Sequence, residues 1–370
     1  MKSNRGAMIL LMAFLITVLG CGDDDSDQPL TLPSNLQMET TVNTAGTGLV
    51  SVAATADNEN FFLIYFGEDP SEIPVKSTDG KATHTYKTSG TYTIKVQAHT
   101  TTEAFVSLNK DVQVTVGSGE LVIPTTGYTT PTSYSGMTLV WQDEFEGAAL
   151  NTAAWTFETG TSTNGWGNHE LEYYRQENTT LKDGYLVITA KKENFQSSAY
   201  TSSRIKTQGK KEFKYGRVDM RAVLPKGKGI WPALWMLGSN ITTVNWPACG
   251  EIDMMEMVGG GAGDKTVYGT AHWDNAGQHA SYGGNKQLSN GIFNDEFHVF
   301  SIVWTASSIK WYVDDVQYQV IDTTPAGLAA FQKEFFLIFN LAVGGDWPGS
   351  PDDTTLFPQR MIVDYVRVFQ

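Results

Sequence analysis

Three carboxylates lie within six residues of the chain, at Glu251, Asp253 and Glu256. A β-strand points alternate side chains to opposite faces, so Glu251 and Asp253 share one face and strict alternation would place Glu256 on the other. One extra residue at Met254-Met255, a β-bulge, would return Glu256 to the face of the first two acids. The spacing therefore predicts a bulged strand that presents three acids on one surface.

Three acids on one surface could carry out retaining glycoside hydrolysis, in which a nucleophile and an acid/base residue lie about 5–5.5 Å apart. A straight strand would hold Glu251 and Glu256 roughly 13 Å apart, so this strand must be concave. Like charges raise one another's pKa, and one of the acids should therefore hold a proton near neutral pH. We assign Glu251 as the nucleophile and Glu256 as the acid/base, with Asp253 holding and tuning the pair.

A solvent-facing acidic strand would carry the same three acids without any chemistry. The residues between the acids are Ile and Met, however, and the segment Trp246-Pro-Ala-Cys-Gly250 comes directly before them. Apolar residues on the second face of a strand indicate that this face packs on a core. We therefore favour the catalytic interpretation.

At these residues the sequence resembles the laminarinase-type endo-β-1,3-glucanases of glycoside hydrolase family 16. The resemblance covers about residues 137–370 and rests on several motifs in order. These are Trp141-Gln-Asp-Glu-Phe145, Asn168-His-Glu-Leu-Glu-Tyr-Tyr174, Lys214-Tyr-Gly-Arg217, Gly229-Ile-Trp-Pro-Ala-Leu-Trp-Met236, Trp246-Pro-Ala-Cys-Gly-Glu-Ile-Asp-Met-Met-Glu256, Asn340-Leu-Ala-Val-Gly-Gly345 and Val363-Asp-Tyr-Val-Arg-Val368. The resemblance implies an all-β, concanavalin A-like jelly-roll sandwich whose concave sheet binds a β-glucan polysaccharide.

Three other functions share these features and stay open at this point. Mixed-linkage β-1,3-1,4-glucanases and hydrolases of agar-type galactans carry the same catalytic acids, although Trp246-Pro-Ala-Cys-Gly250 favours a laminarinase. A non-catalytic surface glycan-binding protein could retain the fold without the activity. The intact acids Glu251, Asp253 and Glu256 argue against that third function.

The tryptophans divide the chain into two parts, because all ten lie after residue 140. Aromatic rings stack on the apolar faces of sugars, so a Trp-rich β-domain suits a neutral polysaccharide. The resemblance places Trp231, Trp235 and Trp246 in the cleft. We interpret Trp304 and Trp311, which lie in apolar strand patterns, as core residues.

The resemblance also implies polar contacts between the cleft and the substrate. Asn168, Arg204 and His272 lie where members of the family contact sugar hydroxyls. A lone histidine is more often structural, and this reading of His272 stays open beside the functional one. Catalysis by two carboxylates needs no cofactor.

A structural calcium ion is a further implication of the resemblance. Members of the family often bind one on the convex side through the first strand, a loop carbonyl and the last strand, which here would be Glu144, Gly184 and Asp364. Calcium takes oxygen ligands from scattered positions, so this set is chemically suitable. Asp364 could equally be an ordinary surface residue.

The N-terminus has the pattern of a lipoprotein signal. Lys2 and Arg5 precede an apolar stretch over residues 7–19, and Val18-Leu-Gly-Cys21 fits a lipoprotein cleavage site. We predict a signal peptide over residues 1–20, lipidation of Cys21 and an acidic tether over residues 21–31. The mature protein would be a secreted lipoprotein of the outer membrane or cell surface, held to the membrane by its lipid anchor.

A second β-rich module is predicted over residues 32–117. Residues alternate in polarity in Gly90-Thr-Tyr-Thr-Ile-Lys-Val-Gln97 and Asp111-Val-Gln-Val-Thr-Val116, as in a small sandwich. The segment His84–Ile94 resembles the closing hairpin of immunoglobulin-like domains of the polycystic-kidney-disease type (PKD-like). We interpret this module as a spacer, with weak glycan binding as the alternative. Residues 118–136 are predicted to be a linker, and residues 137–370 the catalytic domain.

Charge and composition limit the partners. The 370-residue chain is 41% hydrophobic and 18% charged, which is typical of a globular protein with a large core. Its net charge of −14 argues against nucleic acid or an anionic membrane surface as a partner, whereas a neutral glucan is unaffected. We expect a monomer.

Overall fold

The computed structural model describes residues 30–42, 48–114, 116, 121–352 and 354–370. The predicted signal peptide, Cys21 and the tether up to residue 29 lie outside these described residues. The chain divides into two compact units, of which the second begins at Leu121. Across the described ranges, no helix combines the length and the apolar character needed to cross a membrane.

The first unit consists of two antiparallel sheets with the strand orders β1-β2-β5 and β4-β3-β6-β7. Its core contains buried aliphatic side chains such as Val50, Ile64 and Val96, which alternate with half-buried residues along their strands. The strands are β1 Ser34–Val42, β2 Leu49–Asp57, β3 Phe61–Tyr65, β4 Val75–Ser77, β5 Lys81–Thr85, β6 Gly90–His99 and β7 Phe105–Val114. The first segment with the predicted alternation falls on β6, and residues 111–114 of the second fall on β7. These two strands pair along their whole length.

The second unit consists of two larger sheets. The ten-stranded sheet has the order β10-β13-β12-β25-β16-β21-β22-β23, with β11 beside β12 and β8 beside β25. The eight-stranded sheet has the order β20-β19-β18-β17-β24-β14-β9, with β15 beside β24. The strands are β8 Leu139–Asp143, β9 Thr156–Glu158, β10 Glu172–Tyr174, β11 Thr179–Lys182, β12 Tyr185–Phe195, β13 Ser198–Ser202, β14 Arg204–Lys206, β15 Glu212–Phe213, β16 Gly216–Val223, β17 Ile230–Gly238, β18 Glu251–Glu256, β19 Thr266–Asn275, β20 Gln278–Gln287, β21 His298–Trp304, β22 Ser308–Val313, β23 Val316–Asp322, β24 Phe335–Val343 and β25 Gln359–Phe369.

The helical segments of the second unit are short. One α-helix, α1, spans Ile241–Val244, and 3-10 turns span Gln176–Asn178, Gly261–Lys265 and Ala326–Gln332. A tight turn at Gly165–His169 leads into β10. The all-β prediction is therefore confirmed.

The main core fills the space between the two sheets of the second unit. Leu234 on β17 and Phe339 on β24 come from the eight-stranded sheet, and Trp304 and Trp311 come from the ten-stranded one. Both tryptophans are fully buried, which confirms their interpretation as core residues. This jelly-roll sandwich provides a rigid support for the outer face of the eight-stranded sheet.

The predicted linker is wrong for residues 121–134, which belong to the second unit. Leu121 and Ile123 pack on a small apolar cluster of the ten-stranded sheet. The Tyr134 hydroxyl donates a hydrogen bond of 2.7 Å to Asp219, and the backbone N–H of Thr130 donates one to the Tyr365 hydroxyl. Apolar and aromatic residues within a Gly-, Thr- and Pro-rich stretch had enough surface to pack on the sheet.

Candidate active site

The strand β18 carries the predicted bulge. Opposite β17, Glu256 pairs with Ala233 and Asp253 pairs with Trp235. The two acids are three positions apart in the sequence, whereas their partners are two positions apart. Opposite β19 the register slips between the same two acids. Met254 is the extra residue. The bulge is therefore confirmed, and it places Glu251, Asp253 and Glu256 on one face while the apolar side chains between them are buried in the core.

The three acids line an open cleft of about 680 Å³ across the outer face of the eight-stranded sheet. The structure brings every predicted catalytic and substrate-binding residue to this cleft. They are Glu251, Asp253, Glu256, Asn168, Arg204, Trp231, Trp235, Trp246 and His272. Strands β14, β17, β18 and β19 supply most of them, so the pairing of neighbouring strands assembles residues from distant parts of the sequence.

Indole N–H groups hold the two catalytic glutamates. Trp246 donates a hydrogen bond of 3.1 Å to Glu251 Oε2, and Trp231 donates one of 3.0 Å to Glu256 Oε1. An N–H donor fixes the direction of a carboxylate and favours its charged form. Two tryptophans that were predicted only as sugar-stacking residues therefore also orient the acids.

The environment of the three acids favours their protonated forms. Burial, followed by the charge of Asp253, raises the pKa of Glu256 to about 8. Burial raises the pKa of Asp253 to about 8. Burial and the charge of Asp253 also raise the pKa of Glu251 well above its usual range, while His272 and the Trp246 N–H oppose this shift. The cleft thus contains a carboxyl group that can act as an acid at neutral pH.

His272 contacts the acids from the neighbouring strand. Its Nε2 lies 3.1 Å from Asp253 Oδ2 and 3.8 Å from Glu251 Oε1. Its Nδ1 lies 2.9 Å from Nε2 of His279, whose ring packs against Trp246. Donor atoms of Glu251, Asp253 and His272 lie within 4.8 Å of one another, a spacing that a cation could use, but we assign these groups to acid/base chemistry.

Arg204 is held firmly at the far end of the cleft. Its Nε donates a hydrogen bond of 2.6 Å to Glu158, and its guanidinium lies over the rings of Trp166 and Trp235. Arg204 and Lys206 both neutralise Glu158, and the pKa of that carboxyl is lowered, although burial acts in the opposite direction. The planar guanidinium is thus preorganised as a donor for a ligand in the cleft.

Several cleft residues were missed by sequence reasoning. They are Trp166, Glu170, Thr270, His279, Asn340 and Trp347. Glu170 and Asn340 lie within motifs that carried the family resemblance, so their position, although not their role, could have been found. Trp347 packs edge-on against Trp231, and nothing in its local sequence indicates this contact.

The residues of the predicted calcium site do not fit that ion as they are arranged. Both carboxylate oxygens of Glu144 accept hydrogen bonds from Arg367, at 2.7 and 2.8 Å. Asp364 accepts a hydrogen bond of 2.6 Å from Arg221. Calcium binding would require these carboxylates to give up guanidinium partners that already neutralise them. Gly184 contributes a turn with φ of 83° between β11 and β12.

Comparison with known proteins agrees with this geometry. The profile of Glycosyl hydrolases family 16 matches residues 162–367. The chain is 41% identical over 235 residues to the clotting factor G alpha subunit of Tachypleus tridentatus, which covers 63% of this chain and 34% of that protein. It is 41% identical over 273 residues to glucan endo-1,3-beta-glucosidase A1 of Niallia circulans, which covers 66% of this chain and 39% of that protein.

Among solved structures, the laminarinase catalytic domain of Thermotoga maritima superimposes with a TM-score of 0.60. The two sequences are 49% identical, and the alignment covers 63% of this chain and 98% of that domain. The chain therefore spans an entire catalytic domain of this kind but little more than a third of the length of the two curated relatives.

Proposed function

Because the chain belongs to glycosyl hydrolase family 16, we propose that it is a retaining endo-hydrolase of β-1,3-glucosidic bonds in laminarin-type glucans. The observation that carries this proposal is the bulged strand β18, which turns Glu251 and Glu256 to the same face at the floor of an open cleft. An open cleft admits the middle of a polymer chain, which suits endo-cleavage.

Glu256 is the general acid/base in this proposal. Its pKa of about 8 keeps it protonated at neutral pH, so that it can deliver a proton to the glycosidic oxygen. The hydrogen bond from Trp231 holds its carboxyl group in place while the proton is transferred. After the transfer, the same N–H stabilises the carboxylate that must accept a proton in the second step.

Glu251 is the nucleophile and must be ionised to attack. The Trp246 N–H and His272 both favour its charged form. Asp253 lies between the two glutamates, and its raised pKa lets it hold a proton that limits repulsion among three neighbouring acids. We therefore assign Asp253 the role of tuning the ionisation of Glu251.

The reaction proceeds in two displacements. Glu256 protonates the leaving oxygen while a Glu251 oxygen bonds to the anomeric carbon and the glycosidic bond breaks. Glu256, now a carboxylate, then takes a proton from water, whose oxygen attacks the anomeric carbon and releases Glu251. Two inversions at one carbon give net retention, and both glutamates return to their starting protonation states.

Laminarin, lichenan, agarose and carrageenan form the panel that tests this function. Reducing-sugar release should be fastest from laminarin and should disappear in Glu251→Gln. Faster release from lichenan would indicate a mixed-linkage glucanase, and release from agarose or carrageenan a galactan hydrolase. Binding of laminarin without release by the wild-type protein would overturn the enzymatic proposal in favour of a glycan-binding protein.

Proton NMR of early hydrolysis tests retention. The β-anomer of the new reducing end should appear first, with the α-anomer arriving by mutarotation. An α-anomer that appears first would mean that Glu251 and Glu256 are not the nucleophile and acid/base pair.

We also propose that the protein is a lipoprotein anchored at the outer membrane or cell surface through Cys21, with the first unit acting as a PKD-like spacer. Support comes from the basic N-terminus, the apolar segment and the cleavage-site pattern before Cys21, followed by Gly22-Asp-Asp-Asp-Ser-Asp27. Cys21→Ser should move the protein from the detergent-extracted membrane fraction to the soluble fraction or stall its processing. Unchanged membrane partitioning would overturn the anchor.

A further inference from the structure

Two glutamates that have no role in the catalytic steps lie in contact beneath the cleft wall. Glu172 is fully buried on β10, and Glu170, just before that strand, is 7% exposed and reaches the cleft. The Glu170 carboxyl group is near enough to raise the pKa of Glu172, whose buried Oε1 has no hydrogen-bond donor within the described residues. A hydrogen bond between two carboxyl groups would require a proton on one of them, because ionised carboxylates only accept.

The donors around the pair show which glutamate carries the charge. Glu170 Oε1 accepts a hydrogen bond of 3.0 Å from the Asn168 amide, and Oε2 accepts one of 2.8 Å from the Tyr174 hydroxyl. Glu172 Oε2 accepts one of 2.7 Å from the backbone N–H of Val343, whereas no other group in the described residues donates to its buried Oε1. Both oxygens of Glu170 thus accept hydrogen bonds, and Glu172 Oε1 is the position at which we place the proton of the pair.

A chain of donors connects the charge of Glu170 to the cleft floor. The Trp235 indole donates to Asn340 Oδ1 at 2.8 Å, and the Asn340 amide donates to the Tyr174 hydroxyl at 3.1 Å. Tyr174 then donates to Glu170, so every hydrogen bond in the chain runs toward one carboxylate. A one-way chain of this kind polarises each member and fixes its orientation. Glu170 therefore orients both Trp235, on the cleft floor, and Asn168, on the cleft wall.

The amide of Asn168 has one orientation that satisfies this arrangement. An ionised carboxylate cannot donate, so the NH₂ group of Asn168 must face Glu170. Its Oδ1 is then turned away from Glu170, as an acceptor available to the cleft that Asn168 lines. The backbone of Asn168 is fixed as well, because its carbonyl accepts a hydrogen bond of 2.8 Å from Asp346.

We propose that Glu170 and Glu172 are positioning residues for substrate binding, a carboxyl pair with one shared proton that fixes Asn168 to present an acceptor to a donating sugar hydroxyl. The inference rests on the proposed function in taking a glucan as the ligand. Asn340, which belongs to the same chain of hydrogen bonds, is two strands from Glu256, about 10 Å, so this network lies to one side of the acid/base residue. The pair acts on binding of the sugar chain, and its loss affects KM more than kcat.

The shifted acidities are consistent with this assignment. Burial, and then the charge of Glu170, raises the pKa of Glu172 well above its usual range. Burial also raises the pKa of Tyr174 well above its usual range, so its hydroxyl remains a donor. Arg204 acts on this network as a cation and opposes the charge of Glu170 at Tyr174.

Two isosteric substitutions separate the roles of the pair. Glu172→Gln keeps a donor toward Glu170, because the amide N–H₂ replaces the carboxylic O–H. We expect this substitution to lower kcat/KM on laminari-oligosaccharides by less than Glu170→Gln does, because Glu170 keeps its charge. Glu170→Gln removes the charge and lets Asn168 turn over, and we expect kcat/KM to fall by about tenfold or more, mostly through KM. Equal effects of the two substitutions, or a larger effect of Glu172→Gln, would overturn the proposal.

A double-mutant cycle tests whether Glu170 acts through Asn168. In an Asn168→Ala background, Glu170→Gln should have little further effect on KM, because the side chain that it positions is absent. A general structural role would instead lower activity equally in both backgrounds. An undiminished effect in the Asn168→Ala background would contradict positioning through this amide.

Infrared spectroscopy tests the proton assignment without any substrate. At neutral pH, Glu172→Gln should remove a protonated-carboxyl band and Glu170→Gln a carboxylate band. The reversed pattern, or loss of a carboxylate band in Glu172→Gln, would overturn the assignment even if Glu170→Gln failed to fold. If the wild-type protein did not cleave laminarin, the proposed function would fail, and the infrared result would still decide the location of the proton.

Discussion

Two groups of acids in the second unit differ in what neutralises them. On the ten-stranded sheet, Asp219 and Asp364 each accept a hydrogen bond from an arginine of β16. Glu144, next to the end of β8, accepts two from Arg367. These acids have permanent positive partners, and such partners favour the ionised form at every working pH.

The acids of β18 have no such partners. Within the described ranges of the chain, Glu251, Asp253 and Glu256 form no ion pair with lysine or arginine, and the basic side chain beside them is that of His272. Indole N–H groups, which are neutral, provide their remaining hydrogen bonds. The difference shows how one fold keeps some carboxylates ionised and lets others exchange protons. The structural acids accept hydrogen bonds from guanidinium groups, whereas the reactive acids accept them from neutral donors.

The largest effect should follow from removing the charge of the nucleophile. Glu251→Gln keeps the shape and the Trp246 hydrogen bond but cannot attack, so laminarin hydrolysis should fall by about 10⁴-fold or more while oligosaccharide binding persists. Azide should restore activity in Glu251→Ala, where it has space to enter, and not in Glu251→Gln. A loss below tenfold in a folded Glu251→Gln protein would remove the nucleophile assignment.

The next largest effect should be on stability, at a structural acid. Arg217→Met leaves the fully buried Asp219 without its cation, and we expect the free energy of unfolding in urea to fall by about 3–5 kcal/mol. Activity of the folded enzyme should be unchanged, because Arg217 lies outside the cleft. Lys182→Met is the control, since it breaks an exposed pair with Asp183 and should change stability by under about 1 kcal/mol. Similar losses of stability in the two variants would contradict the expected difference between the buried and the exposed ion pair.

A smaller effect should appear in the pH dependence of kcat/KM. Glu256 must be protonated in the first step, and with its pKa at about 8 the rate should decline as the pH rises above that value. Trp231→Phe removes a donor that favours the ionised form, so the alkaline decline should move to higher pH. Trp246→Phe acts on Glu251 in the same direction and should move the acidic limb to higher pH instead. A shift of the same limb in both variants would mean that Trp231 and Trp246 do not act on two glutamates with different roles.

Local periodicity explains which parts of this site could be predicted. The bulge and the shared face of Glu251, Asp253 and Glu256 follow from the two-residue repeat of a strand, which is visible in six letters of sequence. Contacts between residues that are distant in the sequence could not be predicted in the same way. His279 contacts His272 because β20 pairs with β19. Glu144 accepts hydrogen bonds from Arg367, which lies more than 200 positions away in the sequence.

The predicted linker failed for a related reason. Its Gly, Thr and Pro content indicates irregular backbone, and residues 121–134 are indeed mostly irregular. Irregular backbone can still be fixed by side chains, and Tyr134 and Thr130 are fixed by partners on β16 and β25 that composition does not reveal.

The smallest effect should come from Glu172, an acid without a counter-charge that lies outside the catalytic group. Its folded-state pKa is raised above 4.5, so its contribution to stability is complete below pH 4.5 and is lost as the pH rises through the folded-state pKa. Glutamine cannot ionise and escapes that loss. The unfolding free energy of Glu172→Gln minus that of the wild type should therefore increase as the pH rises above 4.5.

Urea unfolding at a series of pH values measures this difference, with the exposed Glu146→Gln as the control that should stay near zero throughout. A difference that shrinks with rising pH would mean that Glu172 is stabilised as a carboxylate. Glu170 would then have to hold the shared proton, and an un-ionised Glu170 could not fix Asn168. Because this measurement involves no substrate and no catalytic residue, it separates the buried carboxyl pair from the reactive acids of β18, which an activity assay alone would combine.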